Sequence, residues 1–208
     1  MPESETTMRE LTIALRATVV TLVLTGILYP LAVTGVGQTI MPAAANGSLR
    51  RDDRGNVVGS ALIGQTFTQP GYFWGRPSAS SYDTMASGGS NWGPSSAKLR
   101  DRILSERDRL AAEHPGAGPV PDELVTASSS GLDPHISPAT ARWQLGRVAK
   151  ARGVDAARVE TVLAGVVEGR DLGFLGEPRV NVLALNLALD HAFGRPLPPP
   201  APAPATGP

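Results

Sequence analysis

Residues 17–37 read ATVVTLVLTGILYPLAVTGVG, an uncharged run of 21 residues. As a helix rising about 1.5 Å per residue the run extends roughly 31 Å, close to the ~30 Å hydrocarbon core of a bilayer. A secretory signal has an apolar region of about 7–15 residues and a small-residue cleavage site close behind it. Here the apolar stretch is longer, and the cluster Ala43-Ala44-Ala45 lies well beyond its centre. The expectation is an uncleaved, single-span anchor. Arg9 and Arg16 precede the run, whereas Arg50, Arg51 and Arg54 follow only after a neutral spacer. The charges nearest the membrane favour the N-terminus inside and the soluble domain outside.

Along this helix Ala17, Thr21, Thr25 and Tyr29 recur at intervals of four. Small and hydroxyl residues at that spacing let a second helix approach and bond across the contact. The plainer alternative is that each threonine bonds its own helix backbone. Pro30 lacks an N–H and crowds the carbonyl at Gly26, so a kink is expected there.

Beyond the anchor, 17 Lys and Arg stand against 16 Asp and Glu. That balance gives no electrostatic case for nucleic acid or an anionic surface. With no cysteine in 208 residues, disulfides, cysteine-ligated zinc or iron–sulfur sites and thiol nucleophiles are excluded. Aromatics are few, so the core is expected to be Val, Leu, Ile and Ala.

The chain divides into an N-terminal tail (1–10), the transmembrane helix (11–37), a spacer (38–55), a soluble domain (56–193) and a proline-rich tail (194–208). The domain reads as α+β, with short strands early and three or four helices later. Residues 56–67, broken by Gly59 and Gly64, resemble one or two short strands. Residues 69–94 hold Tyr72, Phe73, Trp74, Tyr82 and Trp92, half of all the aromatics, among Gly, Ser and Pro. A long aromatic-rich loop is expected to be folded rather than disordered. Its rings, with Arg76, either contact another subunit or pack the loop onto its own domain.

Pro94 is read as the first residue of a helix carrying Leu99, Ile103 and Leu110 and ended by His114-Pro115-Gly116. Ser137 and Pro138 form a cap and first position for the next, with Ala141, Leu145, Val148 and Ala149 as its buried stripe. Gly153 supplies a left-handed stop, and Asp155 caps a helix through Val159, Val162, Leu163 and Val166. Residues 170–178 are a loop, and Val180, Leu183, Leu187 and Phe193 mark a last helix.

No G-x-x-x-x-G-K-S/T loop, G-x-S-x-G elbow or H-E-x-x-H motif is present. His114, His135 and His191 are isolated and read as surface or capping residues. Two Gly/Ser segments remain, Ser87-Gly88-Gly89-Ser90-Asn91 and residues 128–134. Each offers backbone N–H groups to an anion or is simply a turn.

Four strings in order carry a resemblance: GQTFTQPGYFWGRPSAS (64–80), SYDTMASGGSNWGPSS (81–96), SGLDPHISPATARWQLGRVAKARG (130–153) and LGEPRVNVLALNLALD (175–190). With one N-terminal span, the chain resembles the KdpC family, the C subunits of Kdp potassium-transporting ATPases, from about Leu11 to Asp190. The resemblance implies an accessory, non-catalytic subunit of an ATP-driven potassium uptake complex in the inner (plasma) membrane. Its implied partners are a channel-like potassium-binding subunit and a P-type ATPase subunit. It also implies a catalytic chaperone that raises the ATPase subunit's affinity for ATP, with Ser87, Gly88, Gly89, Ser90 and Asn91 as the nucleotide-binding stretch. Ser90 stands where that signature carries glutamine, and Ser129 where the second loop carries glycine. No tightly bound cofactor and no metal are expected, and ATP enters only through the catalytic subunit. A domain outside the membrane cannot meet cytoplasmic ATP, so an assembly and regulatory role is the preferred expectation. Ala17, Thr21, Thr25, Tyr29, Tyr72, Phe73, Trp74 and Arg76 are its candidate subunit contacts. The competing readings are a stand-alone anchored ligand-binding module and an exported serine hydrolase.

Overall fold

The computed structural model describes residues 3–196. Its contacts divide the chain between Ser48 and Leu49. In the first unit, α1 (Glu3–Val23) and α2 (Tyr29–Ile40) are joined by a wider π-helical turn, Leu24–Leu28. Thr7–Ile40 is long and apolar enough to cross a membrane, and its most apolar window is 0% buried. Where a kink is expected at Pro30, the helix carries this π-helical turn. Tyr29 N–H bonds the Leu24 carbonyl, and the widened winding eases the clash of a ring that cannot donate. A short helix, α3 (Pro42–Ala45), follows. Asn46 bonds back to Gln38 (3.0 Å) and to the Pro42 carbonyl (2.7 Å), so part of the expected spacer is folded.

The second unit opens with an antiparallel hairpin, β1 (Leu49–Arg51) and β2 (Val57–Ser60). Asp52 closes its turn by accepting from Arg54 and Asn56 N–H groups (3.0 and 2.9 Å). A long irregular segment broken by turns leads to α4 (Ala97–Glu113). This helix begins three residues later than Pro94 suggests, because Ser96 caps it by accepting from Leu99 N–H. A single 3₁₀ turn (Asp122–Leu124) leads to β3 (His135–Ile136), α5 (Pro138–Arg152) and α6 (Ala156–Val166). The Ser137 cap, the Pro138 first position, the Gly153 stop at φ +65° and the Asp155 cap form as expected.

The chain ends, within the described residues, in β4 (Val167–Glu168), β5 (Arg179–Asn181) and α7 (Val182–Phe193). The fold is mixed, as expected. In addition to the early hairpin, three short late strands form an antiparallel sheet in the order β3-β5-β4. Val180 therefore belongs to a strand, and Asn181 caps α7 by accepting from Ala184 N–H. The main core joins Phe73, Ile136, Val148, Val159, Leu163, Val180, Leu185 and Leu189. A second cluster joins Trp74, Leu110, Leu124 and Val125. Phe67 packs against both. Gly194, Arg195 and Pro196 lie against the domain, with Arg195 paired to Asp52 at 2.7 Å. The rest of the expected proline-rich tail, 197–208, lies outside the described residues.

Candidate functional site

The aromatic loop owes its path to polar side chains on two helices. Phe73 is fully buried, and Trp74 is 7% exposed. A backbone buried this way has its N–H and C=O groups away from water, so each needs a partner. Asn186 of α7 accepts from Phe73 N–H (2.8 Å) and donates to its carbonyl (3.0 Å). Gln144 of α5 accepts from Trp74 N–H (2.9 Å) and donates to its carbonyl (3.0 Å). Two arginines of α5 complete the clamp. Arg147 donates to the Tyr72 carbonyl (2.9 Å) and lies 3.7 Å from the Trp74 ring centroid. Arg152 donates to the Gly71 carbonyl (2.6 Å) and pairs with Asp190 (2.8 Å). Tyr72 hydroxyl also donates to Asp190 (2.9 Å), and burial together with that carboxylate pushes the phenol up to about 12.

The structure thus gathers Tyr72, Phe73 and Trp74 against their own domain, while Arg76 pairs with Asp133 (3.2 Å). None of Gln144, Asn186, Arg147 or Arg152 stands out as a functional residue in the sequence. The available signal is polarity in the wrong place. Gln144 sits in the buried stripe of α5 and Asn186 inside the apolar run of α7.

The two Gly/Ser segments, distant in sequence, pair with each other. Gly88 N–H and Ser87 hydroxyl both donate to the Ser130 carbonyl (2.8 and 3.0 Å). Ser128 N–H reaches the Pro77 carbonyl (3.2 Å), and Ser78 hydroxyl reaches the Gly131 carbonyl (2.7 Å). Gly131, at φ +68°, has Ser80 Oγ and the Gly88 carbonyl where a side chain would start. Gly89 faces the Ser129 backbone, whose oxygen would lie 3.2 Å from an added Cβ. Gly88, Gly131 and Leu132 N–H groups donate within the loops, so they are not free to cradle a phosphate. Ser90 is half-buried and Asn91 exposed, the latter at φ +52°.

His114 ends α4 and is buried. Its Nδ1 lies 2.8 Å from the Leu110 carbonyl and its Nε2 2.8 Å from Arg147 Nε. Arg147 Nε is always a donor, so Nε2 must accept and Nδ1 carries the proton. Burial, reinforced by the nearby Arg147 and Arg109 charges, brings the imidazole down from 6.5 to about 4. Burial brings Arg147 down to about 9, still charged at neutral pH.

The candidate helix contacts Ala17, Thr21, Thr25 and Tyr29 are all exposed on the first unit. Thr25 hydroxyl bonds the Thr21 carbonyl at 2.8 Å, the self-bonding alternative. Among the described residues, no group of three or more His, Cys, Asp or Glu is arranged to hold a metal ion.

Residues 11–191 match the family model described as K+-transporting ATPase, c chain. A potassium-transporting ATPase KdpC subunit from Myxococcus xanthus is 64% identical over 192 residues, covering 91% of this chain and 90% of the relative. Proteins of the same name from Sorangium cellulosum and Methylobacterium nodulans are 57% and 52% identical, covering 81% and 83% of this chain and 90% and 92% of the relatives. An exposed membrane-length helix, an aromatic loop clamped by α5 and α7 and two paired Gly/Ser loops are therefore features of a chain that belongs to the KdpC family, the c chain of the K+-transporting ATPase.

Proposed function

We propose that the chain is the non-catalytic, membrane-anchored subunit that assembles and regulates the potassium pump. The reading makes its partners the channel-like potassium-binding subunit and the P-type ATPase subunit of the same complex. Its N-terminus lies in the cytoplasm and its soluble domain outside the plasma membrane, over the ion entrance. The observation that carries this reading is the membrane-length apolar helix Thr7–Ile40, whose most apolar window is 0% buried in this chain and which a membrane complex would cover. The positions of Arg9 and Arg16 support the orientation. The internal use of the Gly88, Gly131 and Leu132 N–H groups supports a scaffold role for the Gly/Ser loops over direct ATP contact. The competing role, a chaperone that raises the ATPase subunit's affinity for ATP, requires those loops on the cytoplasmic side.

Sidedness separates the two. The native sequence has no cysteine, and Met85 is 91% exposed in the loop that leads to Ser87. Met85→Cys in intact cells is expected to react with a membrane-impermeant maleimide. Reaction only after lysis would overturn the external placement and favour the ATP-affinity role. Loss of potassium-stimulated ATPase activity in cells lacking the chain, with restoration by the full chain, tests the assembly role itself.

A further inference from the structure

A cavity of about 800 Å³ lies between the turn that follows α4 and the outer face of α5. Its volume is in the range of ligand-binding clefts. Trp143, Gly146, Arg147 and Lys150 line one wall, and Pro115–Ala117 the other. These α5 residues share one helix face by their spacing of three and four. Gly146 leaves the floor open, since a Cβ there would have nothing within 4 Å.

The charges of this groove do not cancel. Its Arg142 is paired with Glu160 (2.9 Å), while its Glu113 shares Arg109 (3.1 Å) with Glu106 (2.8 Å). His114 is neutral, holding its single proton toward the Leu110 carbonyl. Arg147 donates only to uncharged acceptors: His114, Gln144 and the carbonyls of Pro70 and Tyr72. Among the described residues Arg147 has no ion-paired carboxylate but feels the Glu113 charge, and Lys150 has no carboxylate partner. Lys150 therefore remains the uncompensated positive charge of the groove, on the same wall as Trp143.

We infer that this groove binds an extended acidic segment of a partner protein, with an apolar side chain against Trp143 and a carboxylate at Lys150. Charge complementarity is the argument for an acidic occupant. The donor geometry decides against a phosphate or nucleotide. Four of the five Arg147 N–H groups are already engaged, so no open guanidinium fork is presented for bidentate phosphate binding. What the groove offers instead is one exposed ammonium, at Lys150, beside apolar surface. This inference is independent of which subunit the chain contacts and of the side of the membrane it occupies.

The test uses the full chain in detergent micelles and a fluorescent octapeptide of alternating glutamate and leucine, followed by anisotropy. The peptide is expected to bind saturably and more weakly as salt rises. Lys150→Glu should weaken it about tenfold or more, and Gly146→Leu, which fills the floor without changing charge, should do the same. Arg100→Glu, on the exposed face of α4, should leave it unchanged. Equal binding of the matching lysine–leucine peptide, or indifference to both groove variants, would overturn the proposal. So would complete displacement by millimolar inorganic phosphate, which would make the site an anion pocket. Tighter binding by a chain ending at Pro196 would also overturn it, by making the chain's own proline-rich stretch the occupant.

Discussion

Asn186 on α7 and Gln144 on α5 hold adjacent residues of one buried loop segment, Phe73 and Trp74, each through a reciprocal pair of hydrogen bonds. Each side-chain amide does for one residue what a neighbouring strand does in a sheet. Phe73 enters the main core while its neighbour Trp74 enters the second cluster. The two clusters are thereby joined through a segment with no regular secondary structure of its own.

Asn186→Leu or Gln144→Leu keeps the side chain close in size but strands a buried N–H and a buried C=O. Each unsatisfied group costs roughly 1–3 kcal/mol, so a loss of about 2–4 kcal/mol is expected for either variant. Denaturant unfolding of the full chain, followed by the fluorescence of Trp74 and its neighbours, reads this directly. A loss below about 1 kcal/mol would show that the segment is held by its apolar packing alone.

Arg152 and Asp190 form an ion pair whose side chains are only 2% and 15% exposed. Removing one partner leaves a buried charge, which costs about 3–5 kcal/mol. Asp190→Asn should therefore destabilise strongly, while Tyr72→Phe, which loses one hydrogen bond to the same carboxylate, should cost about 1–2 kcal/mol. The double variant should cost less than the sum, because both changes act on one carboxylate. Urea unfolding midpoints of the two single variants and the double variant check this.

The burial of His114 sets an acid limb of stability. Its folded pKa, about 4, lies below the unfolded value of 6.5, so the unfolded chain binds the extra proton first. Stability from this group is complete above pH 6.5 and is lost as pH falls toward 4, by roughly 3 kcal/mol in all. His114→Phe should lower stability at neutral pH but flatten the dependence between pH 6.5 and 4. An unchanged slope in that variant would assign the acid limb to other groups.

Gly131 requires a positive φ and has a carbonyl and a hydroxyl where its side chain would begin. Gly131→Ala should separate the Gly/Ser loops, at a cost of about 2 kcal/mol from backbone strain and the close contacts together. Amide hydrogen exchange at Gly88, whose N–H bonds the Ser130 carbonyl, should accelerate ahead of the core helices. Gly88 exchange as slow as in the native chain would mean that the loops tolerate the change in place.

Local features are legible along the chain itself. The 17–37 run, the caps at Ser137 and Asp155 and the Gly153 stop depend on residues within a turn or two of each other. The start of α4 differs from the expected one because Pro94 and Ser96 both suit a helix opening, and only the bond from Leu99 N–H chooses between them. Of the two readings of the aromatic loop, the structure places Phe73 and Trp74 inside their own domain. The stretch 87–91 is legible as a turn, but not as one half of a pair with 128–131.

By itself, then, the sequence determined a membrane-length helix, the order of the later helices and the family, because hydrophobic period, capping and motif order are properties of the linear chain. Tertiary structure alone decided the sheet β3-β5-β4, the meeting of the Gly/Ser loops and the Gln144 and Asn186 clamps. It also decided the neutral His114 beside a charged Arg147. Each of these depends on which distant group supplies a hydrogen bond or withholds a counter-charge, and that partner is chosen only when the helices pack.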